Sequence, residues 1–178
     1  GYKKLLERSL IACGDKELAH YDEAVDRYQD IFQKCCMYRV EAYEGIRELL
    51  EFLKSQGILI AVLSNKPHPR TLDNVEGVFG KGYFNLVYGE REDKGIRKKP
   101  CPDGVWAIAE ELGLSKSEIL YLGDTNTDME TGDNAKVDTV GVTWGFRTRE
   151  ELMAFHPALI ADHPSRVVQY IKDVNGIE

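Results

Sequence analysis

Apolar positions near the start of the chain recur at helical intervals. Leu5, Leu6, Leu10 and Ile11 share one face, and Cys13-Gly14-Asp15 interrupts the run. Leu18, Tyr21, Val25, Tyr28, Phe32 and Cys35 then follow at steps of three or four, which predicts a second helix. Two amphipathic helices make a cap or lid more readily than a core of their own. The pattern changes character around residues 41–44.

From Gly45 onward, helical and strand-length patterns alternate. Ile46, Leu49, Leu50 and Leu53 predict an amphipathic helix that stops near Gly57. Ile58 to Leu63 is an unbroken apolar run, the pattern of a central parallel strand covered on both faces. A helix over 69–78 and a short strand over 84–88 follow. Asp103 is expected to cap a helix whose face is Val105, Ile108, Ala109 and Leu112, closed by Gly113. Ser115 with Glu118, and Thr148 with Glu151, have the spacing of capping boxes.

Further strands are predicted over 119–122, 137–142 and 159–161. A helix over 128–135 lies between the first two, a helix runs from Thr148 to Phe155, and Ser165 should cap a terminal helix through Ile171. Strands alternating with helices give an α/β fold: a Rossmann-like parallel sheet flanked by helices, with right-handed crossovers. The organisation expected is a small helical cap over 1–42 and an α/β core over 43–178.

Composition narrows the class without naming a chemistry. A chain of 178 residues, 43% hydrophobic and 30% charged, holds one core and a small accessory piece. A formal net charge of -7 gives no footprint for nucleic acid or an anionic membrane. No apolar run is long enough to span a bilayer and no signal-peptide pattern opens the chain. Cys13, Cys35, Cys36 and Cys101 match no zinc template, and adjacent Cys35 and Cys36 cannot readily pair with each other. They read as reduced thiols of a cytoplasmic protein acting on a small molecule.

Ligands of open α/β sheets bind at the carboxyl ends of the strands. The first strand is followed by Ser64-Asn65-Lys66, and the second by Gly89 and a basic loop ending Arg97-Lys98-Lys99-Pro100. The third is followed by Gly123-Asp124-Thr125-Asn126-Thr127-Asp128. Ser64 and the backbone N–H groups near Asn65 can donate to phosphate oxygens. Lys99 can neutralise charge on a phosphate and on a neighbouring carboxylate. Asp124 and Asp128 are hard oxygen ligands suited to Mg²⁺. Each alone is more often a helix cap or a solvated charge. Their succession at three strand ends favours function.

These residues resemble three of the four motifs of the haloacid dehalogenase superfamily: Ser64-Asn65, Lys99-Pro100, and Gly123-Asp124 with Asp128. Tyr43-Glu44-Gly45 is similar to the passage from a helical cap into the core, and residues 140–146 to the strand and loop after the last motif. The likeness spans the chain and is nearest the phosphoglycolate phosphatase group. It implies that Ser64 and Asn65 bind the transferring phosphoryl group and that Lys99 holds it against the nucleophile. Asp124 would ligate magnesium, with Asp128 supporting the metal or its waters. The implied reaction is Mg²⁺-dependent hydrolysis of a small phosphorylated metabolite through an aspartyl-phosphate. Removing Lys99 or Asp124 is then expected to cost turnover far more than folding.

The family's first motif, an Asp-x-Asp-x-Thr segment on a central strand ahead of the cap, is absent from residues 1–178. Asp15 and Asp22 stand in helical context and do not replace it. The expectation is a sheet lacking its first strand, in a native protein with a few tens more residues before Gly1. Other readings stay open: a phosphomutase, pyrophosphatase or nucleotidase on the same core, a non-catalytic phosphate- or metal-binding fragment, or a homo-oligomer supplying the strand from a partner chain. A further expectation is Lys136 in a left-handed helix cap where the family has glycine.

Overall fold

A computed structural model describes residues 2–177. The chain divides into two compact units, Gly1–Val40 and Glu41–Glu178.

The first unit is a helix pair, α1 (Tyr2–Ala12) and α2 (Tyr21–Cys35). Its contacts are mainly aromatic: Tyr2 stacks on Tyr28 at 4.9 Å between ring centroids, and Tyr28 on Phe32 at 5.5 Å. Gln29 Nε2 donates to the Tyr2 hydroxyl at 3.0 Å. Asp15 organises the connection by accepting from the Ala19 and His20 N–H groups, each at 2.9 Å. Neither helix buries a residue, as its apolar stripe predicts for a unit too small for a core.

The second unit carries α3 (Ile46–Ser55), β1 (Ala61–Pro67), α4 (His68–Phe79), β2 (Leu86–Glu90), α5 (Asp103–Leu112), β3 (Leu120–Gly123) and α6 (Asn126–Ala135). It continues with β4 (Asp138–Val142), α7 (Arg149–Met153), β5 (Leu159–Ala161) and α8 (Pro164–Asn175). All pairings between named strands are parallel and are reached through helices, the expected α/β architecture. The strands form two separate sheets, one of order β1-β2 and one of order β3-β4-β5. Among the described residues, β1 and β3 each pair on one edge only. Side chains tie the two halves: Trp106 Nε1 on α5 donates to the Ala135 carbonyl on α6 at 3.2 Å, and Asn134 Nδ2 donates to the Pro100 carbonyl at 2.9 Å.

The main hydrophobic cluster sits wholly on the second sheet's side. Val140 and Val142 of β4 and Ala161 of β5 pack with Leu49 of α3 and with Val167 and Ile171 of α8. The apolar residues of the unpaired edges are wetter: Val62 and Leu63 are half-buried, and Leu122 is 36% exposed. Burial of both faces, which a parallel strand needs, is incomplete there.

Several sequence-based boundaries shift for physical reasons. β1 starts at Ala61 rather than Ile58 because the Ile58 N–H is taken by the Leu53 carbonyl and the Ile60 N–H by Asn85 Oδ1. It runs on through Ser64 and Asn65 to Pro67, with its register against β2 shifting between Leu63 and Pro67. Asp103 does not cap α5; it sits inside the helix and gives both oxygens to Arg97. α6 begins at Asn126, capped by Thr125, so Asp128 lies within its first turn. α7 ends at Met153. His163 Nδ1, and not Ser165, caps α8 by accepting from the Ser165 N–H at 3.2 Å, with Pro164 at the first helical position. The two predicted capping boxes form, Ser115/Glu118 on a 3₁₀ turn and Thr148/Glu151 on α7. Lys136 closes α6 in the left-handed conformation at φ 61°. Cys13, Cys35 and Cys101 are free thiols, and among the described residues no helix is long and apolar enough to cross a membrane.

Candidate active site

The sequence-selected residues converge at the carboxyl ends of β1 and β3. Lys99, on the loop after β2, carries the contacts that join them. Its ammonium lies 2.7 Å from Asp128 Oδ1 and donates to the Leu63 carbonyl of β1 at 3.2 Å. The pair is buried, with side-chain exposures of 14% for Lys99 and 8% for Asp128.

Asn65 fixes the Lys99 backbone at both of its polar groups. Asn65 Oδ1 accepts from the Lys99 N–H at 2.8 Å and Nδ2 donates to the Lys99 carbonyl at 3.0 Å. The Lys99–Pro100 peptide that follows is cis. Ser64 Oγ accepts from the Lys66 N–H at 3.1 Å, which leaves its own hydroxyl proton to give. Both residues stand on the irregular end of β1, so they are presented by a strand rather than a loop.

Asp128 is committed on both oxygens. Oδ1 takes Lys99 and the Tyr121 hydroxyl, the latter at 3.2 Å; Oδ2 takes the Thr125 N–H at 3.1 Å and its hydroxyl at 2.6 Å. Burial alone would raise this carboxyl, but Lys99 above all, with Thr125 and Tyr121, holds it below the usual carboxylate range. Burial, with the Asp128 charge beside it, pushes the Tyr121 hydroxyl far above its ordinary value, so it serves as a neutral donor. Pattern reading of the sequence treats Tyr121 as one more strand residue. Its only signal is a polar hydroxyl inside an apolar run, which must find a partner when buried.

Asp124 stands apart from this network. Its Oδ2 accepts from the Phe146 N–H at 3.0 Å. A Cβ at Gly145 would run into this carboxylate, and one at Gly123 into the Asp128 side chain. Both glycines are therefore required by close approach. In the same turn, Asn126 Oδ1 is the one buried side-chain polar atom without a hydrogen-bond partner among the described residues.

No three His, Cys, Asp or Glu side chains among the described residues gather closely enough to hold a metal by themselves. Magnesium does not need such a cage, since it keeps several waters and takes one or two carboxylates. Asp124 fits that requirement, and the buried orphan acceptor of Asn126, two residues further along the chain, is the kind of hard oxygen that suits the ion.

The remaining cations of the basic loop are largely neutralised. Arg97 grips Asp103 with Nε at 2.7 Å and a terminal nitrogen at 2.8 Å. Lys98 bridges Glu90 and Glu92, each at 2.9 Å. Ser64, Asn65, Arg91, Lys99 and Cys101 line a shallow cleft in front of these groups.

Residues 3–142 match the haloacid dehalogenase-like hydrolase family. The chain belongs to that family. Among curated relatives of this dehalogenase-like hydrolase, the phosphoglycolate phosphatase of Pectobacterium atrosepticum is 28% identical over 96% of the chain and 73% of its own length. The N-acetylmuramic acid 6-phosphate phosphatase of Pseudomonas aeruginosa is 30% identical over 84% of the chain and 64% of its own length. A solved candidate phosphoglycolate phosphatase from Lactobacillus delbrueckii superposes with a TM-score of 0.79 at 29% identity, over 85% of this chain and 62% of that one. The chain thus spans about three quarters of the first relative and somewhat less than two thirds of the other two. The hydrolase resembles the phosphoglycolate phosphatase group of its family, and the named relatives are phosphatases.

Proposed function

We propose that this chain is the phosphate- and metal-binding part of a magnesium-dependent phosphatase acting on a small phosphate monoester of the phosphoglycolate kind. The observation that carries the reading is the buried Lys99 ammonium, held between β1 and the Asp128 carboxylate and clamped through its backbone by Asn65. A cation so fixed at two strand ends is preorganised for an anion. Ser64 donates to phosphoryl oxygens beside it. Asp124 holds magnesium, while Asp128 supports the site by anchoring Lys99 and the turn at the start of α6. Magnesium supplies charge neutralisation and polarises a phosphoryl oxygen. Residues 43–178 act as the core and residues 1–42 as a helical cap. The ligand is a small phosphorylated metabolite and the compartment the cytoplasm.

The nucleophile belongs on a strand seated against the unpaired edges of β1 and β3. Its carboxylate oxygen bonds to phosphorus as the ester P–O bond breaks, and the alcohol leaves with a proton given by the second aspartate of the same segment. Water then attacks phosphorus and returns a proton to that aspartate, releasing inorganic phosphate and restoring the nucleophilic carboxylate. Residues 1–178 supply no Asp-x-Asp-x-Thr segment for this step, which favours a second reading for these residues taken alone: phosphate and magnesium binding without turnover.

The test is phosphate release from 2-phosphoglycolate with magnesium, run beside the intact mass of the protein. Turnover is expected only from a protein heavier than 20.2 kDa, and it should vanish in Asp124→Asn. Turnover at 20.2 kDa, or turnover that survives Asp124→Asn, overturns the proposal. A substrate panel separates phosphatase from phosphomutase, pyrophosphatase and nucleotidase.

A further inference from the structure

We propose that Arg91 is a substrate-selecting residue that binds a second anionic group, a carboxylate or a second phosphate, on the same molecule whose phosphoryl group faces Lys99. The inference rests on the phosphatase reading and adds to it the class of substrate. Four cations line the cleft: Arg91, Arg97, Lys98 and Lys99. Arg97 is neutralised by Asp103, Lys98 by Glu90 and Glu92, and Lys99 by Asp128. Among the described residues, Arg91 has no carboxylate within ion-pairing distance in this structure.

Arg91 is nevertheless held in place. Its guanidinium lies over the Tyr88 ring, 4.3 Å from the centroid. Tyr88 is itself only 5% exposed and its hydroxyl donates to Glu111. Stacking occupies the face of a guanidinium, and beyond the donor that reaches the Tyr88 hydroxyl its other in-plane N–H groups are left to bind a ligand. The backbone around it is equally fixed. Arg91 bridges to Ile96, the Lys94 and Ile96 N–H groups return to its carbonyl, and Lys98 clamps the residues on either side of it. The two acidic residues that flank it, Glu90 and Glu92, are spent on Lys98. What remains is a planar donor fork lining the same cleft as Lys99. A fork of this shape suits a planar carboxylate or a phosphate in two-point contact.

The experiment is calorimetric titration in magnesium chloride with three probes: 2-phosphoglycolate, inorganic pyrophosphate and ethyl phosphate, whose tail is neutral. The protein is expected to bind at least one of the first two about tenfold more tightly than ethyl phosphate, the effect of one charge-assisted hydrogen bond. Arg91→Gln should bring that ratio to about one, with Arg91→Lys between, because a lysine keeps the charge and loses the fork. A ratio lost for 2-phosphoglycolate identifies a carboxylate, and one lost for pyrophosphate a second phosphate. A preference that survives Arg91→Gln, or no preference in the unaltered protein, overturns the role of Arg91 alone. Failure to bind any of the three overturns the phosphatase reading, and this inference with it.

Discussion

Lys99 Nζ and Asp128 Oδ1 lie 2.7 Å apart, and the same carboxylate oxygen also receives the Tyr121 hydroxyl. The lysine expected to serve chemistry is thus also one half of a buried ion pair. That changes what its removal does. Lys99→Ala leaves Asp128 buried and uncompensated, and should lower stability by about 3–5 kcal/mol. Removing both charges, as Lys99→Met with Asp128→Leu, should cost much less than the two single changes added together. Urea midpoints of the three variants measure this; additive losses would show that the pair is not coupled.

The pair also sets an acid limit. Asp128 titrates below its ordinary value in the folded protein. A depressed folded pKa contributes stability that is complete above the unfolded value, about 3.9, and is lost as pH falls through the folded value. Melting temperature should therefore fall more steeply below about pH 4 in the wild type than in Asp128→Asn, and a common slope would contradict it.

Gly145→Ala tests the seat of Asp124. The added methyl meets the Asp124 carboxylate, so the side chain must turn from the Phe146 N–H. Magnesium affinity, read by titration calorimetry, should drop about tenfold, as outer-shell changes around a metal ligand do. Unaltered affinity would separate Asp124 from the metal.

Lys136 offers a stabilising change. A side chain at φ 61° costs about 1 kcal/mol in this cap, so Lys136→Gly should recover about that much. A rise of about 2–4 °C in Tm for a domain of this size is the expected readout.

The legible part of this molecule was its periodicity. Helix–strand alternation, two capping boxes and the three strand ends all follow from residue spacing. Three things escaped for definite reasons. The start of β1 was misplaced because an apolar run cannot reveal that Asn85 captures the Ile60 N–H. Asp103 and Ser165 look like caps in sequence, yet Arg97 claims the first and His163 supplies the second cap. Partnerships of Asp128 with Lys99 and Tyr121 link residues 29 and 7 positions apart, and only the fold brings them together.

The division of the sheet has a consequence for how the second unit opens. Its main apolar cluster belongs to β4, β5, α3 and α8, whereas β1 and β2 share no hydrogen-bond ladder with that half. Between the halves run side-chain ties instead, at Lys99, Trp106 and Asn134, and from Arg47 and Lys54 of α3 to the Val78 and Tyr83 carbonyls. Such a molecule opens in parts. Amide protons of β1 and β2 should exchange with solvent well before those of β4, and filling the space between β1 and β3 with a strand would merge the two rates into one.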